Sequence, residues 1–323
     1  MSAAAAVRVL VAFKVTPDFE LLRDADWAAA AERGVETRYV RRILNCFDES
    51  ALELALRAAG DLAAHRAKAT GAPEAAPAGA PSIELGAVSV GGREVEPYLT
   101  TLIALGFERA TRIDAGPGVS SGGGVDDLDA IRAAANDLDF APAAVALLIA
   151  AYARRVDRSD LVLLGSRSGP GDGGTVPFRV AEELGWPCLS QVTELEPLVD
   201  GRLRATCATD DGLARLTLRG PCVLAVGNAI VSNLRAPTLK ERLSQRGAAP
   251  GLTTAGELGV DVAAACRHQA SALLGLEAID RRRASELVDG PTPQAKATTL
   301  YETHLRPWLT KLRPTSCTRH DLQ

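Results

Sequence analysis

Residues 7–13 (VRVLVAF) form an almost unbroken apolar, β-branched run, the pattern of a central parallel strand covered on both faces. From Asp48 the period lengthens. Leu52, Ala55, Leu56, Ala59 and Leu62 recur at three- and four-residue steps with charged residues between them, predicting an amphipathic helix that fades at Ala69. Residues 82–90 then read as a strand, Gly91 and Gly92 as a turn, 98–105 as a helix and 110–113 as a third strand. Helical patterns at 126–139 and 141–156 precede another short buried strand at 160–164. This alternation argues for an α/β fold with a doubly wound, mostly parallel sheet, in which ligands bind beyond the carboxyl ends of the strands. From Cys188 the texture changes to strand-like segments at 189–199, 203–208 and 213–218, separated by Asp-Gly turns, then 221–226. An antiparallel meander ending in a core strand fits. Past Pro250 there is no long apolar run, and a charged, helix-like segment lies around 301–312. The chain therefore divides into an α/β domain over 1–250, with an Ala/Pro/Gly-rich flexible connector at 70–81, and a C-terminal arm over 251–323.

Composition narrows the function classes. With 47% hydrophobic and 24% charged residues and a net charge of -4, the chain has a globular profile and no electrostatic pull towards nucleic acid or anionic lipid. Cys46, Cys188, Cys207, Cys222, Cys266 and Cys317 form no C-x-x-C pair and have no His at zinc-ligand spacing, so neither a disulfide framework nor a metal site is expected. The first ten residues lack a basic n-region, and the longest apolar stretch, 141–153, falls short of the roughly 20 residues of a membrane span. A cytoplasmic protein with no membrane insertion is expected. His65, His268, His304 and His320 are isolated from acidic or cysteine companions, so no catalytic constellation can be assembled.

The most informative segment is 164–177 (LGSRSGPGDGGTVP), where a strand runs into a glycine-rich loop and a helix begins near Pro177. Glycines let backbone approach an anion, and the first N–H groups of the helix supply donors and partial positive charge, so a phosphate site and a solvent loop are both open readings. The loop is neither G-x-G-x-x-G with an acidic ribose ligand nor a Walker A loop. Asn45 to Ser50 stand before the first helix as a cap with acidic first-turn residues. Gly118 to Gly122 match the nucleophile-elbow pattern G-x-S-x-G, but flanking glycines and a proline break the strand and delay the helix that an elbow needs.

Taken in order, these segments resemble the beta subunit of electron transfer flavoproteins. Val11-Ala12-Phe13-Lys14 through Asp18 is similar to the family's opening Val-Ala-Val-Lys-x-x-x-Asp, and Asn45-Cys46-Phe47-Asp48-Glu49 to its Asn-Pro-Phe-Asp/Cys-Glu. The run 160–165, the glycine loop, Leu184-Gly185-Trp186-Pro187 and, in the arm, Glu286 to Pro293 (E-x-x-x-G-x-T-P) continue the likeness over most of the chain. The resemblance implies a Rossmann-like, adenine nucleotide alpha hydrolase-like fold and an electron carrier rather than an enzyme. It implies a heterodimer with an alpha subunit that carries most of a redox-active FAD, and AMP or a second FAD in this chain. A dehydrogenase donor and a quinone- or ferredoxin-linked acceptor would complete the partners. By position, Ala12, Asn45, Cys46, Phe47, Asp48 and Val90 would line the adenosine. Ser168, Gly169, Gly171, Asp172, Gly173, Gly174, Thr175 and Val176 would hold the phosphate. Phe19 and Phe47 fall near the partner's flavin, and Leu234, Arg235 and Leu239 on the loop that docks dehydrogenases.

Two segments depart from the family. The loop reads Pro170-Gly171-Asp172-Gly173-Gly174-Thr175 in place of Asp-Gly-Asp-Thr-x-Gln, and 232–237 replace Asn-Glu-Pro-Arg-Tyr in the docking loop. The competing reading is a stand-alone adenine-nucleotide-binding or nucleotide-hydrolysing protein that shares the sheet. A third is an interaction subunit whose nucleotide site has decayed.

Overall fold

The computed structural model describes residues 6–28, 37, 39–70, 81–115, 138, 141–169, 174–198, 200–245, 247–267 and 285–312. The connector at 71–80, the Gly118 to Gly122 pattern, nearly all of the expected helix at 126–139, the loop residues Gly171, Asp172 and Gly173, and the tail after 313 lie outside them.

Apolar runs became strands where the sequence places them: β1 (Val7–Ala12), β4 (Ile83–Val90), β5 (Arg109–Asp114), β6 (Leu161–Gly165) and β10 (Cys222–Val226). Two short strands, β2 (Val15–Pro17) and β3 (Arg42–Leu44), pair antiparallel with each other. The meander is β7 (Cys188–Pro197), β8 (Leu203–Thr209) and β9 (Gly212–Thr217), and β11 (Gly251–Thr254) comes last. Among the helices are α1 (Asp24–Ala28), α2 (Cys46–Thr70), α3 (Glu96–Leu105), α4 (Pro142–Tyr152), α5 (Val176–Leu184), α6 (Leu239–Ser244) and α7 (Val262–Arg267).

Among the described residues, nine strands make one sheet in the order β11-β5-β4-β1-β6-β10-β7-β8-β9. It is parallel from β11 through β7 and antiparallel for β8 and β9. The chain leaves β1 towards β4 and β5 on one side, then returns to β6, on the other side of β1, and runs through β7, β8 and β9 before β10 inserts between β6 and β7. This reversal makes the β1/β6 boundary the topological switch point, where a crevice opens beyond the strand ends.

Alternation along the central strands sorts their side chains into two layers. Val9, Val11, Leu85, Leu161, Leu163 and Leu224 face one core with Leu52, Ala55 and Ala58 of α2 and Leu99 and Leu102 of α3. Leu10, Ala12, Val88, Val162, Leu164 and Val223 face the other, with Ala144, Leu148 and Ile149 of α4 and Val180 and Ala181 of α5. Strands covered on both faces have no polar side to show, hence their continuous apolar runs. Apolar helix α4 is likewise sandwiched, and its chain continues through a π turn (Ala153–Asp157) to Arg158 in the left-handed region.

The sheet continues past residue 250, where the sequence places the start of the arm. β11 is hydrogen-bonded to β5, and Leu258, Val262 and Cys266 belong to the second core. Its four residues are mostly exposed, so hydrophobic pattern could not mark it. The chain separates into compact units at Met1–Glu277 and Ala278–Gln323. Within the second, Thr292 caps a helix (Pro293–Thr299) by accepting from the Ala295 N–H, and the chain continues helically through Leu300–Leu305 to Arg306–Leu312. Among the described residues, no helix is long and apolar enough to cross a membrane.

Candidate functional site

Asp48, on the first turn of α2, organises the switch point. One carboxylate oxygen accepts the Gly165 N–H at the end of β6 (2.7 Å) and the other accepts the Lys14 N–H just beyond β1 (2.9 Å). A single buried side chain thus ties together the two strand ends between which the crevice opens. Asn45 adds a second tie: its N–H donates to the Lys14 carbonyl, and its side-chain amide donates to the Arg167 carbonyl at 2.7 Å. Ser89 binds β4 to the same corner by donating to the Phe13 carbonyl at 2.8 Å. These bonds fix three strand ends and one helix start as a unit.

The helix can come this close because residue 165 is glycine. A Cβ there would stand 2.6 Å from Asp48 Oδ1 and 2.7 Å from Phe47 Cβ. Gly174, at φ 71°, takes the left-handed conformation that favours glycine and lets the loop enter α5. Thr175 provides no side-chain cap for α5, so the first-turn N–H groups face the loop without that acceptor.

The resulting cleft is walled by Ala12 at the end of β1 with Lys14 and Val15 beyond it, Asn45 just before α2 and Asp48 within it, Val90 at the end of β4 with Gly91, Glu94 and Val95 beyond it, Val145 and Ile149 of α4, and Gly165, Arg167, Ser168 and Val176. Arg112, buried on β5, steadies the turn after β4 through the Gly91 carbonyl (3.3 Å) and Glu96 (3.1 Å). Walls are apolar towards β4 and α4, whereas Lys14 and Arg167 bring positive charge to the glycine loop; Lys14 Nζ reaches Ser168 Oγ at 3.5 Å.

Burial pushes the Asp48 carboxyl up to about 6 from 3.8, against two backbone N–H donors, Asn45 and the Lys14 charge, all of which favour the anion. Between those two values the native state holds a proton that the unfolded chain has lost. Asp48 therefore subtracts stability as pH rises from about 4 to about 6, by roughly 3 kcal/mol in full. Carbon-detected NMR of the Asp48 carboxyl should give a midpoint near 6, and wild type should lose stability relative to Asp48→Asn across that window. An ordinary midpoint near 4 would show that the pocket is wetter than its walls indicate.

Of the sequence-predicted residues, Ala12, Asn45, Asp48, Val90, Ser168 and Val176 converge on this cleft. Cys46 is exposed, and Phe47 backs onto Gly165; neither is among the cleft-lining residues. Gly169 lies near Thr16, and Gly174 and Thr175 lead into α5. Phe19 packs on Trp27, ring centroids 6.2 Å apart. In the docking loop Leu239 is 73% exposed, Leu234 packs against the first core, and Arg235 is engaged internally with Glu241, the Leu105 carbonyl and, through its N–H, Glu53. Sequence reasoning missed Lys14 and Glu94 as site residues, and the α4 wall. Pro142, Val145 and Ile149 recur at helical spacing, which was the available signal.

Burial raises the thiols of Cys188 to about 11 and of Cys222 to about 12, which suppresses the nucleophilic thiolate. Among the described residues no group of three or more His, Cys, Asp and Glu could hold a metal ion.

Residues 124–264, a range that contains α4 and the strands β6 to β11, match the electron transfer flavoprotein domain. Over 305 residues the chain is 29% identical to YgcR of Escherichia coli K12, whose name assigns it provisionally to the electron transfer flavoprotein subunits; this covers 93% of this chain and 98% of YgcR. It is 29% identical over 106 residues to an electron transfer flavoprotein subunit beta of Mycobacterium tuberculosis H37Rv, covering 33% of this chain and 39% of that one. A subunit beta of Chromohalobacter salexigens is 37% identical over 71 residues, 21% of this chain and 27% of that one. By the domain match and the near full-length likeness to YgcR, this chain is similar to proteins named as electron transfer flavoprotein subunits.

Proposed function

We propose that this chain is the beta-type subunit of a heterodimeric electron transfer flavoprotein, holding an adenine nucleotide in the switch-point cleft. The observation that carries this reading is the convergence of Ala12, Asn45, Asp48, Val90, Ser168 and Val176, from five separate segments, on one cleft. The residues present fit such a nucleotide. Val90, Val95, Val145 and Ile149 offer apolar surface to a planar base. Lys14, Arg167, Ser168 and the start of α5 bring positive charge and donors to a phosphate. AMP meets these requirements, and so does the adenylate half of a second FAD.

FAD, carried mainly by an alpha subunit, supplies the electron chemistry; this chain's part is to hold and dry its setting, without an acid or base of its own. A partner surface is consistent with the second compact unit, in which Leu300, Tyr301, Leu305, Trp308 and Leu309 are exposed on consecutive helical turns. Exposed Leu239 and Leu243 on α6 offer an apolar patch for a dehydrogenase, with a quinone- or ferredoxin-linked protein as acceptor. Co-expression with an alpha subunit from the same genome should give a yellow heterodimer, and mass spectrometry of the released ligands should find FAD with AMP, or FAD alone at two per heterodimer. A colourless chain that ignores the alpha subunit and turns over ATP would replace this reading with the stand-alone one.

A further inference from the structure

We infer that Arg112 is a positioning residue of the cleft, whose guanidinium fixes the turn after β4 from both ends and so sets the wall on which the nucleotide's base rests. The inference rests on the nucleotide reading of the same cleft. Residues 91–95 join β4 to α3, and Gly91 and Val95 belong to the cleft wall. A wall made by so short a turn is only as well placed as the groups that hold it.

Those groups come from β5. The Gly91 N–H donates to the Ile113 carbonyl at 3.1 Å, and the Gly91 carbonyl accepts from Arg112 Nη1 at 3.3 Å, so both backbone groups of Gly91 are tied to one strand. Arg112 Nε donates to Glu96 Oε1 at 3.1 Å, and Glu96 opens α3 at the far end of the turn. One planar group therefore spans the turn from its first residue to the residue just past its last. Asp114 Oδ2, accepting from the same Nη1 at 3.0 Å, gives the guanidinium a third anchor. The turn is close-packed in itself, since a Cβ on Gly91 would stand 3.2 Å from Val95 Cγ1, so displacing one end moves the other.

Packing alone would not select an arginine here. Alternation along β5 puts Arg112 on the face that carries Ala110, which packs in the first core with residues of α2 and α3. The Arg112 side chain is 7% exposed, whereas those of Glu96 and Asp114 are 43% and 45% exposed. Burying a charged group costs desolvation that its ion pairs offset only in part, so the arrangement adds little net stability. What it supplies is direction. Guanidinium N–H groups point along fixed lines in one plane, and a lysine ammonium, a single point of charge on a flexible stem, does not reproduce a bridge between two ends.

The test is calorimetric titration of the full chain with AMP, together with hydrogen exchange read segment by segment, for wild type, Arg112→Met and Arg112→Lys. Arg112→Met should fold, because the two carboxylates it releases are nearly half exposed and hydrate. Both variants should bind AMP about tenfold more weakly, the value of one hydrogen bond to a charged group. Amides of 91–96 should exchange about tenfold faster, while those of 45–48 and 165–167, at the clamp made by Asp48, keep wild-type rates. Should Arg112→Met not fold, Arg112→Lys carries the same prediction. If wild type binds AMP and the variants bind it equally well, or lysine restores wild-type affinity, the positioning role is disproved while the nucleotide site stands. Exchange that rises equally at both places would make Arg112 a structural residue only and overturn the inference. If wild type does not bind AMP, the nucleotide reading itself falls, and this inference with it.

Discussion

Gly165→Val is expected to abolish nucleotide retention and to lower stability by about 3–5 kcal/mol. Even a single Cβ at this position would sit 2.6 Å from Asp48 Oδ1, 2.7 Å from Phe47 Cβ and 2.9 Å from the Asp48 nitrogen. The last two belong to the helix itself, so no side-chain rotation relieves them; the first turn of α2 must retreat. Retreat breaks the bonds from Asp48 to Gly165 and Lys14, leaving two buried backbone donors short of an acceptor. It also moves Asn45, and with it the Arg167 carbonyl that places the glycine loop. Chemical denaturation and nucleotide titration of the purified variant would measure both effects. Retained affinity would show that the β1/β6 clamp does not shape the ligand site.

Leu163→Ala is expected to cost as much stability, about 2–5 kcal/mol, and to leave nucleotide affinity within about threefold of wild type. Leu163 is fully buried in the centre of β6, between β1 and β10, and faces the core shared with α2. Truncation leaves a cavity under α2 but touches neither the clamp nor the cleft wall. The pair therefore separates stability from site geometry: similar unfolding midpoints with opposite binding outcomes. A Leu163→Ala variant that folds but loses the nucleotide would mean that the site depends on core packing as a whole.

The elements that the hydrophobic pattern marked best are those buried on both faces. β1, β4, β6 and β10 announce themselves as apolar runs because no side of them meets water, and α2 by its three- and four-residue steps. β2, β3 and β11 escaped, being three or four residues long, too short for a hydrophobic period to show. Site residues divide similarly. Asn45, Asp48 and the glycine loop stood out by their place at strand and helix ends, whereas Glu94 and the α4 wall carry no motif and belong to the site only because their elements pack beside it.

The sequence by itself determined where the strands buried on both faces and the long amphipathic helix run, and which short stretches lie at their ends, since period and glycine content are local properties of the chain. Tertiary structure alone decided that β6 returns to the far side of β1, that one carboxylate spans the two, and that Glu94 faces the same cleft as Lys14. Those relations join residues tens to more than a hundred positions apart, and they follow from how strands order in a sheet, which no local pattern encodes.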